Sequence, residues 1–191
     1  MWGELLTDSI LRPRLAARRL LALPLAPRVV VEAAVAVACL GVVLGYAAVR
    51  LAGGAVDPLS AAMLSRPLVG ACAQIVVMAG IAFLAWGVGA RLGGRGDALG
   101  AVRIVVWLNV VTLVIQAFQL VAIVFAPPLA SFMAIATLLW LFWAFANFTA
   151  ELHDFASPFI VLGVTVLTAV GLVLGLALIA TLLGVSPEGA P

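Results

Sequence analysis

IVVWLNVVTLVIQAFQLVAIVFAPPLASFMAIATLLWLFWAFA, residues 104–146, decides the fold. No charged residue falls between Arg103 and Glu151, and the only interruption is the pair Pro127 and Pro128. Each half is long enough to meet the requirement of ~20 apolar residues for a helix crossing hydrocarbon about 30 Å thick. Backbone groups left unpaired in lipid cost several kcal/mol each, roughly, so a spanning segment must be a helix or a barrel strand. The run lacks the alternation of a barrel strand, which leaves two helices folded back on one another about the prolines.

The rest of the chain agrees. Of its 191 residues 66% are hydrophobic and 9% charged, and the mean hydropathy is +1.31. Soluble domains carry roughly a quarter of their residues as charges. The expected fold class is all-α, a polytopic membrane helix bundle with five transmembrane helices and an N-terminal amphipathic interfacial helix. The spans are expected at about 29–49, 67–90, 104–126, 129–150 and 159–185 within a transmembrane domain of residues 28–185. A short extracytoplasmic tail, SPEGAP, follows at 186–191.

Arginines set the direction. Eight of them (Arg12, Arg14, Arg18, Arg19, Arg28, Arg91, Arg95 and Arg103) fall on one side of these spans, and two, Arg50 and Arg66, on the other. The positive-inside tendency then places the N-terminus in the cytoplasm and the C-terminus outside, in the inner membrane of a bacterium. The leader before the first apolar run is too long, and the run itself too extended, for a cleaved signal peptide.

Residues 1–27 form a separate cytoplasmic segment. Pro13 suits a first helical turn, and Ala16, Ala17, Leu20 and Leu21 share a face that Arg14 and Arg18 do not. Such a helix is expected to lie in the interface with Arg12, Arg14, Arg18 and Arg19 among anionic headgroups. Packing between spans is expected from small residues, with Ala38, Gly41 and Gly45 on the first and Gly171 and Gly175 on the fifth. Cys39 and Cys72 read as small buried apolar residues rather than a disulfide.

The polar residues of the central run need an explanation. Asn109, Thr112, Gln116 and Gln119 fall on one stripe of their helix. Across a tight antiparallel hairpin Asn109 would meet Asn147, Thr112 would meet Trp143 or Ala144, Gln116 would meet Trp140 and Gln119 would meet Thr137. An interhelical polar network of these eight, Ala144 aside, is the expected role, because amides in lipid seek partners. The alternative is a permeation path, which ordinarily shows a paired ionisable group at mid-depth. Glu32 stands four residues after Arg28, a spacing for local pairing. Gln74 is a lone amide.

Catalytic signatures are absent. There is no Lys for Schiff-base or P-loop chemistry, and no H-E-x-x-H or G-x-S-x-G pattern. The single histidine, His153, sits between Glu151 and Asp154 in FTAELHDF (148–155), a cytoplasmic cluster without the further nitrogen or thiolate ligands a metal would need. GGRGDALG (93–100) has no strand before it and reads as a flexible turn rather than a phosphate loop. No enzyme activity, cofactor, metal or nucleic-acid binding is expected. The expected partners are the bilayer and either a second copy of the chain or another membrane protein.

RGDALGAVRIVVWLN (95–109), the Gln-bearing run with its PP turn, the Trp-rich stretch to NFTAELHDF (147–155) and the lead-in RPRLAARRLLAL (12–23) resemble bacterial members of the Yip family, the Ypt/Rab-interacting-protein-like membrane proteins. The resemblance implies a five-span membrane protein with its N-terminus inside. For eukaryotic relatives it implies early secretory traffic, binding of prenylated Rab GTPases and shaping of membranes. The expected function is therefore membrane organisation or protein–protein interaction within the bilayer, with a small-solute or ion permease lined by the third span as the alternative.

Overall fold

A computed structural model describes residues 1–53 and 66–182. The expected tail at 186–191 and the last residues of the expected span 159–185 lie outside them. Among the described residues the chain is all helix: α1 (Trp2–Leu11), α2 (Pro13–Ala22), α3 (Pro27–Ala52), α4 (Pro67–Arg91), α5 (Ala98–Phe125), α6 (Pro127–Leu152) and α7 (Pro158–Leu182). By length and composition α3, α4, α5 and α6 can each cross a membrane, and α7 has a shorter apolar stretch, Pro158–Gly171.

Proline starts five of these seven helices. Pro13, Pro27, Pro67, Pro127 and Pro158 each occupy the first helical position, where the missing N–H has no intrahelical partner to lose and φ is already helical. The α5–α6 turn corrects the expected boundary in this way. Pro127 and Pro128 belong to α6, and Ala126, extended at φ −152° and ψ 71°, is the whole connection, as the residue before a proline prefers. Asp97 caps α5 by accepting from the Gly100 N–H at 3.1 Å.

The hairpin forms, and α5 is its centre, packed on α6, α3 and α4. On one side Ile104, Trp107, Leu108 and Val111 of α5, with Ala144 and Phe148 of α6, meet Leu5 of α1 and Ala16, Ala17 and Leu20 of α2. On another, Ala101, Val105 and Val106 meet Val30 of α3 and Met78, Ala82 and Ala85 of α4. Val161 of α7 rests on Ala146 and Ala150.

Three expectations change here. The apolar face of α2 meets protein rather than lipid: Ala16 and Ala17 are 0% exposed and Leu20 is 2% exposed. Cys39 and Cys72 are free and exposed on the outer surface of α3 and α4, not buried. Gly171 and Gly175 have open space where a Cβ would stand, as does Gly45, so only Ala38 and Gly41 of the expected small faces meet a neighbour. Spacing marks small residues but does not say what stands opposite them.

Candidate functional site

At one end of the bundle α2, the α4–α5 turn and the α6–α7 turn converge, and the arginines gather there. Glu151, near the end of α6, faces α2. Its carboxylate accepts from Arg18 Nε at 2.8 Å and lies 3.4 Å from Arg14 Nε. That hydrogen bond and charge hold the Arg18 guanidinium even above its ordinary range. Arg14 also donates to the Phe155 and Ala156 carbonyls at 2.9 and 3.1 Å, Arg19 pairs with Asp8, and Arg103 donates to the Leu25 carbonyl at 2.7 Å. Trp107 donates to the buried Ser9 hydroxyl at 2.8 Å, tying α5 to α1. Three of the four basic residues expected among headgroups are thus engaged in ion pairs within the fold. Arg12, at the α1–α2 junction, is exposed.

His153 points away from Glu151. It is 2% exposed. Its Nδ1 accepts from the Gly96 N–H at 3.2 Å, so Nε2 carries the proton and donates to the Ala85 carbonyl at 3.1 Å. Phe155 stacks on the ring at 5.5 Å. A Cβ at Gly89 or Gly94 would overlap the imidazole, and one at Gly96 would stand 2.6 Å from Leu152. Burial lowers the His153 pKa, partly offset by the Ala85 hydrogen bond. The expected cluster therefore separates, with Glu151 bound to α2, His153 clamped under the α4–α5 turn, and Asp154 exposed at φ 59°. The glycine-rich turn read as flexible is the packed lid over the histidine.

The polar stripe goes elsewhere too. Asn109 Oδ1 accepts from Gln74 of α4 at 3.2 Å, and its amide donates to the Val105 carbonyl. Asn147 donates to Trp143 O, Thr112 to Leu108 O and Thr137 to Met133 O, each within its own helix. Only Gln119 reaches α6, donating to the Ala130 carbonyl at 3.1 Å rather than to Thr137. Gln116 Oε1 and Trp140 Nε1, expected to meet, are both shielded and without partners. Trp143 turns to α7, with its ring 5.7 Å from Phe159. Glu32 does pair with Arg28, at 2.7 Å.

Gln74, Asn109, Thr112 and Gln116 instead line a cleft of about 520 Å³ bounded by α4, α5, α6 and α7. Thr165 and Thr168 of α7 add two hydroxyls, most of the remaining wall is apolar, and no charged side chain among the described residues lines it. Thr149, 3% exposed, lines it with an Oγ1 that has no partner. The permeation path considered as the alternative also draws on this polar wall, but the shares of α6 and α7 in the cleft were not legible in the sequence, and Gln74 alone signalled that α4 takes part. Among the described residues no three His, Cys, Asp or Glu side chains gather as a metal-ligand group. Comparison with models of protein families, with curated proteins and with solved structures finds no match. The Yip resemblance rests on the residues that suggested it.

Proposed function

We propose that this chain is a non-enzymatic, multi-pass protein of a bacterial inner membrane, with α3 to α7 as five spans and the arginine-rich end in the cytoplasm. Its work is interaction, with membrane or protein, through that cytoplasmic end. A Yip-like role in membrane organisation fits this reading and is carried only by the resemblance of residues 12–23 and 95–155.

One observation supports it most. The N-terminal helices are docked on the bundle as a built platform, held by Glu151, Arg14, Arg18 and the Trp107–Ser9 bond, rather than trailing as a tether. Its outer surface presents Trp2, Ile10 and Leu11, all exposed, beside Arg12. Aromatic and aliphatic side chains next to cations suit the level of lipid headgroups or an acidic partner.

A second reading, the permease, has the polar wall of the cleft in its favour. Reconstitution in liposomes separates the two. The interaction reading expects no solute flux above that of empty liposomes, and a discrete protein adduct when a photoactivatable residue replaces Leu11 in native membranes. A flux abolished by Gln116→Leu would sink it.

A further inference from the structure

The cleft holds a polar group that the fold leaves unused. Gln74 donates to Asn109, Asn109 donates to the Val105 carbonyl, and Thr112 bonds the carbonyl one turn back. Gln116, on the same wall, has its Oε1 shielded from solvent and unpartnered. A buried amide without a partner is costly, and a ligand that supplied one would recover that cost.

The lining specifies the ligand's chemistry. A phosphate or carboxylate would be buried among these residues with no counter-charge, which is far costlier than burying a neutral head. Walls of Leu84, Leu138, Leu141, Phe145 and Val164 suit a hydrocarbon chain. Gln74 and Leu92 both line the cleft, and a helix rising ~1.5 Å per residue puts them about 27 Å apart along α4, close to the hydrocarbon thickness. About 520 Å³ lies within the range of sites for one small amphiphile. The oxygen and nitrogen of an amide exchange places by rotation, and a hydroxyl answers either, since it both donates and accepts.

We propose that this cleft binds one uncharged, hydroxyl-bearing lipid of the acylglycerol class, its hydroxyls at Gln116 and its chain running between α4 and α7 toward Phe155. The proposal rests on the multi-pass reading above and adds a ligand to it. Thr149 marks the opposite end, about 20 Å from Gln116 by helical rise, and the chain passes it without a polar contact.

The test uses the full chain purified in a nonionic detergent, with a monooleoylglycerol carrying a photoactivatable group in its acyl chain. Labelled peptides should map to α4–α7. Unlabelled monooleoylglycerol should compete, while oleate, which is charged, and methyl oleate, which has no hydroxyl, should not. Gln116→Leu should weaken competable labelling about tenfold and raise the melting temperature of the empty protein, because it removes the stranded acceptor. That rise also shows that the variant folds. Trp140→Phe, which removes a shielded unpartnered group outside the cleft lining, should label within about twofold of wild type, as expected when no ligand hydrogen bond is lost. The proposal is overturned if Gln116→Leu labels like wild type, if methyl oleate competes as well as monooleoylglycerol, or if Trp140→Phe is weakened equally. Failure of the multi-pass reading would show separately, as reaction of Cys39 with an aqueous thiol reagent in intact vesicles.

Discussion

A ring that accepts from one backbone N–H, donates to one carbonyl and lies against three glycines has no room for a second proton. His153 is such a ring, and its pKa is lowered by burial. For a base depressed in the folded state, the unfolded chain takes up protons first as pH falls. The stabilisation is therefore complete above about 6.5, the ordinary histidine value, and is lost as pH falls through the lower folded-state value. The melting temperature in detergent should hold at neutral pH and decline on acidification. His153→Gln should flatten that decline, and an unchanged slope in this variant would clear the histidine of causing it. Gly89→Ala places a methyl group where the imidazole stands, and should cost about 1–3 kcal/mol of stability by overpacking, read by denaturant or thermal melts. Adjacency in FTAELHDF suggested one cluster of acids and histidine. Residues two apart on a helix point roughly 200° from one another, so Glu151 and His153 face opposite neighbours, and helical geometry alone could have divided them.

At the scale of elements, periodicity found α2 and its apolar face but not what that face covers. A stripe of Ala and Leu is equally suited to acyl chains and to α5 and α6, and only the partner helices decide. Small size is the sign of the answer: Ala16 and Ala17, fully buried, let α2 approach closely where larger residues would keep it at a distance. Ala17→Leu should therefore lift α2, at about 1–3 kcal/mol for an overpacked contact. Limited proteolysis should then cut between α2 and α3 in the variant and spare the wild type; equal resistance would mean that α2 is not seated as described. The α5–α6 hairpin was readable because two prolines and an uncharged run admit few alternatives. Its side-chain partners were not, since pairing by summed residue numbers assumes that the hairpin is isolated. α4 brings Gln74 to Asn109, and Asn109 takes that partner in place of Asn147.

For the molecule as a whole, every long helix turns much of its surface outward, and the exposed groups are overwhelmingly Val, Leu, Ile and Phe, as a bilayer requires and water does not. Cys39 makes this measurable. It lies twelve residues from the start of α3 at Pro27 and is exposed, which puts it roughly 18 Å along the helix, near the middle of the hydrocarbon if α3 spans. A reagent dissolved in water modifies only the thiols it can reach, and hydrocarbon about 30 Å thick keeps water from its middle. In a Cys72→Ser background, maleimide in intact vesicles should leave Cys39 unmodified, and denaturation in detergent should release it. Two further single-cysteine variants report direction. Arg28, with 89% of its side chain exposed, sits at the arginine-rich end, and Arg66 caps the start of α4. With an impermeant maleimide on whole cells, Arg66→Cys should react directly and Arg28→Cys only after permeabilisation. The reverse pattern would invert the molecule and place the α1–α2 platform outside the cytoplasm. Reaction at all three positions in intact cells would remove α3 from the membrane and leave its outward apolar surface to be covered by protein.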